Sequence, residues 1–201
     1  MFYQPERFRY HSLISAFGGS LRKKYLLFFL TVVPVILIDQ ITKTLVHAHM
    51  SLYESRPLIA GFFNLTYIRN PGAAFGFFTG AAPLFRTLFL IAVTLAAIIL
   101  ILYYLSKSRE EPPLLTFSLA LILSGAAGNL IDRVRYGEVI DFLDLYVGAH
   151  HWPAFNVADS AISVGAALMI WEMLKRKRTP TLPFSSENPP APPLSKGGRG
   201  S

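Results

Sequence analysis

The 201-residue chain predicts an all-α membrane protein: a bundle of four transmembrane helices carrying a small β element outside the bilayer. Three observations predict it. Hydrophobic residues make up 52% of the chain and charged residues only 15%, with a mean hydropathy of +0.42, a balance of membrane proteins rather than soluble domains. Four apolar runs, Tyr25 to about Val46, Pro83 to Leu105, Leu114 to about Ile131 and Val157 to Leu174, are each near the length needed to span. Polar residues intrude on three of them at one depth: Asp39, Asn129 and Asp159 each lie about fifteen residues from the expected cytoplasmic end, roughly 22 Å into a core of roughly 30 Å.

The cations set the orientation. Arg22, Lys23 and Lys24 precede the first helix, Lys107 and Arg109 separate the second and third, and Lys175 to Arg178 follow the fourth, so both termini are expected in the cytoplasm. The formal charge of +7 then reads as a topology signal and as attraction to anionic inner-leaflet lipid rather than as nucleic-acid binding. The absence of cysteine excludes disulfides, thiol nucleophiles, thiolate metal sites and iron–sulfur clusters. The first apolar run resembles a signal peptide in following a basic segment. It is too long for one, carries Asp39 and Lys43, and lacks a small-residue cleavage site, so a retained helix is expected.

In chain order, residues 1–24 are expected as a cytoplasmic or interfacial extension, 25–175 as the membrane domain, and 176–201, rich in Pro, Ser and Gly, as a disordered cytoplasmic tail. Two outward loops connect the helices. The first, about His47 to Ala82, contains an aromatic and β-branched stretch from Gly61 to Asn70 ended by Pro71-Gly72, a strand followed by a turn that would lie on the membrane surface. The second, about Asp132 to Asn156, brings Asp141 to the mouth of the bundle. The helix from Pro83 to Leu105 has no polar interruption and is expected to be scaffold facing lipid. Phe75, Phe77 and Phe78 fit equally a lid over a bound substrate and an interfacial anchor.

Asp141, just outside the membrane, and Asp159, in the first turn of the fourth helix, are the candidate catalytic pair. Two carboxylates facing one water share a proton and titrate together, which supplies a general base for the water and a general acid for a carbonyl oxygen or leaving amine. Spacing alone leaves equally open that Asp159 is a capping acid and Asp141 a solvated loop residue. Asp39 and Lys43, four apart, read as an intrahelical pair with Lys43 snorkelling outward; Asn129 and Arg133 repeat the spacing, and two such pairs at the depth of Asp159 favour a shared polar site. Asn64, Asn70 and Asn156 suit the clamping of a peptide or carboxylate, but also turn and cap chemistry, which is favoured for Asn64. His47, His49, His150 and His151 form no metalloprotease motif, so neither a metal nor another cofactor is expected.

Five stretches together resemble one family: Asp39-Gln40-Ile-Thr42-Lys43; Asn64 through Asn70-Pro71-Gly72 to Gly76; Gly125-Ala-Ala-Gly128-Asn129-Leu-Ile-Asp132-Arg133; Val139-Ile-Asp141-Phe142; and Phe155-Asn156-Val-Ala-Asp159-Ser160. Their order and their place on the four helices are similar to lipoprotein signal peptidase, or signal peptidase II, the bacterial membrane aspartic peptidase. The resemblance covers about residues 25 to 175. It implies four helices with a small periplasmic β element in the inner membrane, and cleavage of signal peptides from diacylglyceryl-modified prolipoproteins just before the lipidated cysteine. It further implies no cofactor, inhibition by the cyclic peptide globomycin, Asp141 and Asp159 as the catalytic dyad, and Asp39, Lys43, Asn70, Gly72, Asn129, Arg133 and Asn156 as residues that support the dyad or contact substrate. One departure is Ser124-Gly125 where two glycines are expected; serine is small enough to preserve close packing.

A proton- or ion-coupled transporter would also use intramembrane Asp, Lys and Arg, but it needs polar residues through the full depth, and the inner halves of the helices are apolar. A structural protein whose polar layer only locks helices together would tolerate loss of either carboxylate.

Overall fold

The computed structural model describes residues 6–72, 82–108 and 111–178. Four helices, α1 (Glu6–His49), α2 (Pro83–Lys107), α3 (Pro113–Tyr136) and α4 (Val157–Arg178), accompany four strands, β1 (Ser55–Ile59), β2 (Phe63–Asn70), β3 (Val139–Val147) and β4 (His150–His151). The four expected spans are present, as Leu21–His49, Pro83–Lys107, Pro113–Tyr136 and Val157–Arg176. α1 begins at Glu6, ahead of the expected start, because no proline interrupts residues 6–20. Residues 1–5, the loop carrying Phe75, Phe77 and Phe78, and the Pro-rich segment from Thr179 lie outside the described residues.

α3 is the central helix. Twelve of its residues are buried, and it packs on α1, α2 and α4. Small residues permit the α4 contact: a Cβ added at Gly125 would lie 2.2 Å from the Ala158 carbonyl oxygen, and one at Gly165 would lie 2.7 Å from that of Ser118. Such backbone-to-backbone approach is how helices gain dispersion contact where lipid supplies no hydrophobic drive. Ser124 is fully buried and donates to the Leu121 carbonyl, so the serine standing for an expected glycine fits this crossing.

α2 lies on α3 and exposes most of its apolar surface, as a lipid-facing helix must. The inner ends are fastened by charge: Lys24 donates to the Leu105 carbonyl at 2.5 Å and to that of Ser108, meeting the unsatisfied C-terminal carbonyls of α2. Arg176 of α4 pairs with Glu111 at 3.1 Å. Between these ends and the polar layer around Asp39, the buried side chains Thr31 and Ser118 bond back to carbonyls of their own helices.

The strands form one sheet in the order β1-β2-β3-β4, all pairs antiparallel. It sits on the C-terminal ends of α1 and α3, where Val46, Met50, Tyr67, Ile140 and Phe142 make a second small core. A bulge between Leu65 and Ile68 shifts the β2–β3 register so that Asn70 pairs with Val139 and Ile68 with Asp141. Asn70 and Asp141 thereby become diagonal neighbours, the use to which bulges beside functional sites are put. α3 ends at Gly137, whose left-handed φ of 78° turns the chain directly into β3.

Gly125→Val should overfill the α3–α4 crossing and lower stability by about 1–3 kcal/mol or more, read as a fall in melting temperature in detergent. An unchanged melting temperature would mean that the two helices do not meet there.

Candidate active site

The site is assembled from one buried cation outward. Lys43 is 1% exposed; its Nζ lies 2.9 Å from Asp39 Oδ2 and 2.9 Å from Asp132 Oδ2, and donates to Asn129 Oδ1 at 3.0 Å. Of the two readings of Lys43, outward snorkelling and a shared polar site, the geometry is that of the shared site. The i,i+4 pair with Asp39 is present, but it turns inward because α3 supplies a second carboxylate and an amide across the interface.

Each carboxylate on Lys43 holds another element. Asp39 Oδ1 accepts the Ala158 N–H at 2.9 Å, and Asn156 Oδ1 accepts that of Asp159 at 2.8 Å. Two orphan donors of the α4 N-terminus are met, one of them by an anion placed at the positive end of the helix dipole. Asp132 Oδ2 accepts the Ile140 N–H at 3.1 Å and so fixes the start of β3. Gln40 Nε2 links the two carboxylates, 3.1 Å from Asp39 Oδ2 and 3.1 Å from Asp132 Oδ1. Removing one member would leave an unpaired charge buried inside the bundle.

Above this layer stand the two expected carboxylates. Asp141, on β3, accepts from Asn156 Nδ2 at 2.8 Å on Oδ1 and from Asn70 Nδ2 at 2.9 Å on Oδ2. Asp159, on α4, accepts from Asn129 Nδ2 at 2.7 Å on Oδ1. Asn129 is oriented by Lys43, since its oxygen faces the cation and its NH2 must then face Asp159. Asn156 touches both aspartates: its oxygen takes the Asp159 backbone N–H and its NH2 goes to the Asp141 carboxylate. It also caps α4, so its cap and site roles are one arrangement. Burial first, then the nearby Asp159 charge, push the Asp141 carboxyl up to about 7, against the Asn70 and Asn156 hydrogen bonds and the Lys43 charge.

Both carboxylates line a cleft of about 1010 Å³. Arg133 lines it too, its Nη1 bonded to the Asn129 carbonyl at 3.4 Å. Gly72 donates its N–H to Asn70 Oδ1 at 2.8 Å, orienting that amide; at φ 90°, with Leu90 of α2 2.2 Å from where a Cβ would stand, the position demands glycine. Leu90 also lines the cleft, so α2 is more than the lipid-facing scaffold expected. Asn64 instead donates to its cross-strand neighbour Asp144 at 2.8 Å. The histidines are dispersed: His47 on Tyr67, His49 on the Leu45 carbonyl and His151 on Asp144. Among the described residues no three His, Asp or Glu side chains are grouped to hold a metal ion.

The family model for signal peptidase (SPase) II matches residues 31–175. The chain belongs to the signal peptidase II family. It is 54% identical over 158 residues to the lipoprotein signal peptidase of Syntrophus aciditrophicus, covering 79% of this chain and 98% of that protein. It is 50% identical over 158 residues to that of Geobacter metallireducens, covering 79% and 96%. A solved structure described as a bacterial membrane enzyme, determined by the in meso method at 2.3 Å resolution, superposes with a TM-score of 0.68 at 34% identity, covering 75% of this chain and 89% of that one. The protein is thus an aspartic endopeptidase of the inner membrane that processes prolipoproteins, and the transporter alternative has no support.

Asp132 and Gln40 were not singled out from the sequence. The signal for Asp132 was present, since Asn129, Asp132 and Arg133 fall on one helical face.

Lys43→Met should destabilise the folded protein by about 3–5 kcal/mol, measured by thermal or denaturant unfolding in detergent. A loss below about 1 kcal/mol would mean that Asp39 and Asp132 do not depend on it.

Proposed function

We infer that signal peptides are removed from diacylglyceryl-modified prolipoproteins by cleavage just before the lipidated cysteine, with Asp141 and Asp159 as the reacting pair. The observation that carries this reading is the pair itself: two carboxylates from separate elements, both anchored by asparagines, lining one cleft at the outer end of the bundle. In support, Asp159 keeps Oδ2 without a hydrogen-bond partner among the described residues.

The chemistry follows from one shared proton. A water between the carboxyls gives its proton to the ionised member as its oxygen attacks the scissile carbonyl carbon; the protonated member donates to the carbonyl oxygen. When the tetrahedral intermediate collapses, the C–N bond breaks, the amine of the lipidated cysteine takes the proton the water gave up, and one hydroxyl of the intermediate returns its proton to the other carboxylate, leaving a carboxylic acid product and a pair with one proton again. Asn70, Asn129 and Asn156 keep the carboxyls aimed at that water, Lys43, Asp39 and Gly72 hold those asparagines and the α4 terminus in place, and Arg133 supplies positive charge beside the pair. A cleft at this depth lets the acyl chains stay in lipid while the peptide bond meets water.

The basic segments flanking the spans support a topology with both termini in the cytoplasm, which puts the cleft on the periplasmic side. A cyclic peptide such as globomycin, seated against the two carboxyls, would compete with substrate there.

Purified protein should cleave a lipidated prolipoprotein, and Asp141→Asn and Asp159→Asn should each lower the rate by about 10²–10⁴-fold with melting temperature retained. Near-full activity in either variant would remove that residue from the chemistry. Because the pair works with one proton and Asp141 is raised to about 7, the wild-type rate should decline as pH rises through about 7. A rate flat from pH 6 to 9 would contradict a shared proton.

A further inference from the structure

Arg69 belongs to none of the arrangements above, yet it lines the same cleft. Its guanidinium is held with care. Nε donates to the Tyr67 hydroxyl at 3.0 Å, and the guanidinium lies 5.0 Å from the centre of the Tyr136 ring, within cation–π distance. Tyr67 is 4% exposed, and its hydroxyl, accepting from Arg69, has its own proton free for the His47 Nδ1 at 2.7 Å. A residue on each of β2, α1 and α3 therefore fixes one arginine.

Nothing in this setting uses its remaining N–H groups. Among the described residues Arg69 makes no ion pair, and Nη1 and Nη2 have no hydrogen-bond partner. Arginine is otherwise an uneconomical choice for this spot: a methionine would pack on the ring, and a tyrosine hydroxyl needs only one donor. A planar fork with its outer donors unspent is what recognition of oxygen acceptors requires.

Its place in the cleft says which part of the substrate it meets. At one end the lining is Ser163 and Val164, six and seven residues inside the start of α4 at Val157, or roughly 10 Å along its axis at 1.5 Å per residue. That end lies within the span and suits the apolar segment of a signal peptide. The other end is lined by Arg69 of β2 and by Trp152 and Pro153, all outside the spans. The chain beyond the scissile bond must leave there.

We propose that Arg69 is a substrate-binding residue whose guanidinium takes carbonyl oxygens of the substrate beyond the scissile bond. Two sources present that chemistry: the main-chain carbonyls that follow the lipidated cysteine, and the ester carbonyls of its diacylglyceryl group. Either would be bound alike before and during the reaction, so the contribution falls on KM and leaves kcat unchanged. The proposal rests on the peptidase reading above.

The test is steady-state cleavage by the full chain in detergent with three lipidated substrates: a full-length one, one ending in an amide at the lipidated cysteine, and one with ether-linked chains in place of esters. Arg69→Met should raise KM for the full-length substrate about tenfold with kcat within about twofold, and Arg69→Lys should fall between. Tyr67→Phe, which deletes only the hydroxyl that aims the guanidinium, should raise KM in the same direction at an unchanged melting temperature. On the substrate lacking the true source, wild type should already show the raised KM, and Arg69→Met should add nothing, which identifies the source. An unchanged KM in Arg69→Met, an equal rise on all three substrates, or a fall in kcat and melting temperature at constant KM would each overturn the proposal while leaving the peptidase reading intact. A wild type inert towards all three would overturn the peptidase reading, and the assignment of Arg69 with it.

Discussion

The structure depends on a single ammonium group placed where lipid would otherwise forbid it. Lys43 sits between Asp39 of its own helix and Asp132 of α3, and each of those carboxylates does a second task. Asp39 seats the N-terminus of α4, which carries Asp159; Asp132 seats the start of β3, which carries Asp141. Desolvating three charges is expensive, and neutralisation alone does not explain why such a triad persists. Its value here is positional. The two elements bearing the proposed reacting pair are referenced to one point, and Asn129 links that point to Asp159.

Close approach in α3 follows from the same requirement. Short polar side chains reach across only if the helix axes are near, and a Cβ at Gly128 would stand 2.5 Å from Asp39 Oδ2. The small residues of α3 are therefore a condition of the polar layer as well as of packing. The sheet completes the geometry from outside. Phe155 exchanges backbone hydrogen bonds with Leu143 and accepts one from Phe142, so Asn156 arrives beside Asp141 at the moment the chain enters α4. That one asparagine then ties the Asp141 carboxylate to the backbone N–H of Asp159, which is how a strand outside the bilayer and a helix within it act as a single unit.

Much of this was legible in the sequence. The spans follow from length and hydropathy, and Asp141, Asp159 and their asparagines stood out because polar residues in such a setting need a reason. The direction of Lys43 was not legible: an i,i+4 pair looks the same whether it faces lipid or a neighbour, and the deciding partner, Asp132, is 89 positions away in the chain. The place of Leu90 in the cleft was hidden for a related reason, since one leucine in an apolar helix carries no mark of the side it faces. β1 and β4 were obscured by shortness, and by Pro57 in β1, while β3 lay within a stretch expected only as a loop. Arg69 was passed over as an ordinary strand residue; its distinction lies in the tyrosines and histidine that three separate elements gather round it.

The central claim is that Asp141 and Asp159 hold one proton between them at neutral pH. Isotope-edited infrared spectroscopy of protein labelled at its aspartate carboxyl carbons measures this directly. The account predicts one protonated carboxyl band at pH 6 that is lost as pH rises through about 7 and is altered in both Asp141→Asn and Asp159→Asn. Absence of any protonated carboxyl above pH 5, or a band untouched by either substitution, would contradict it.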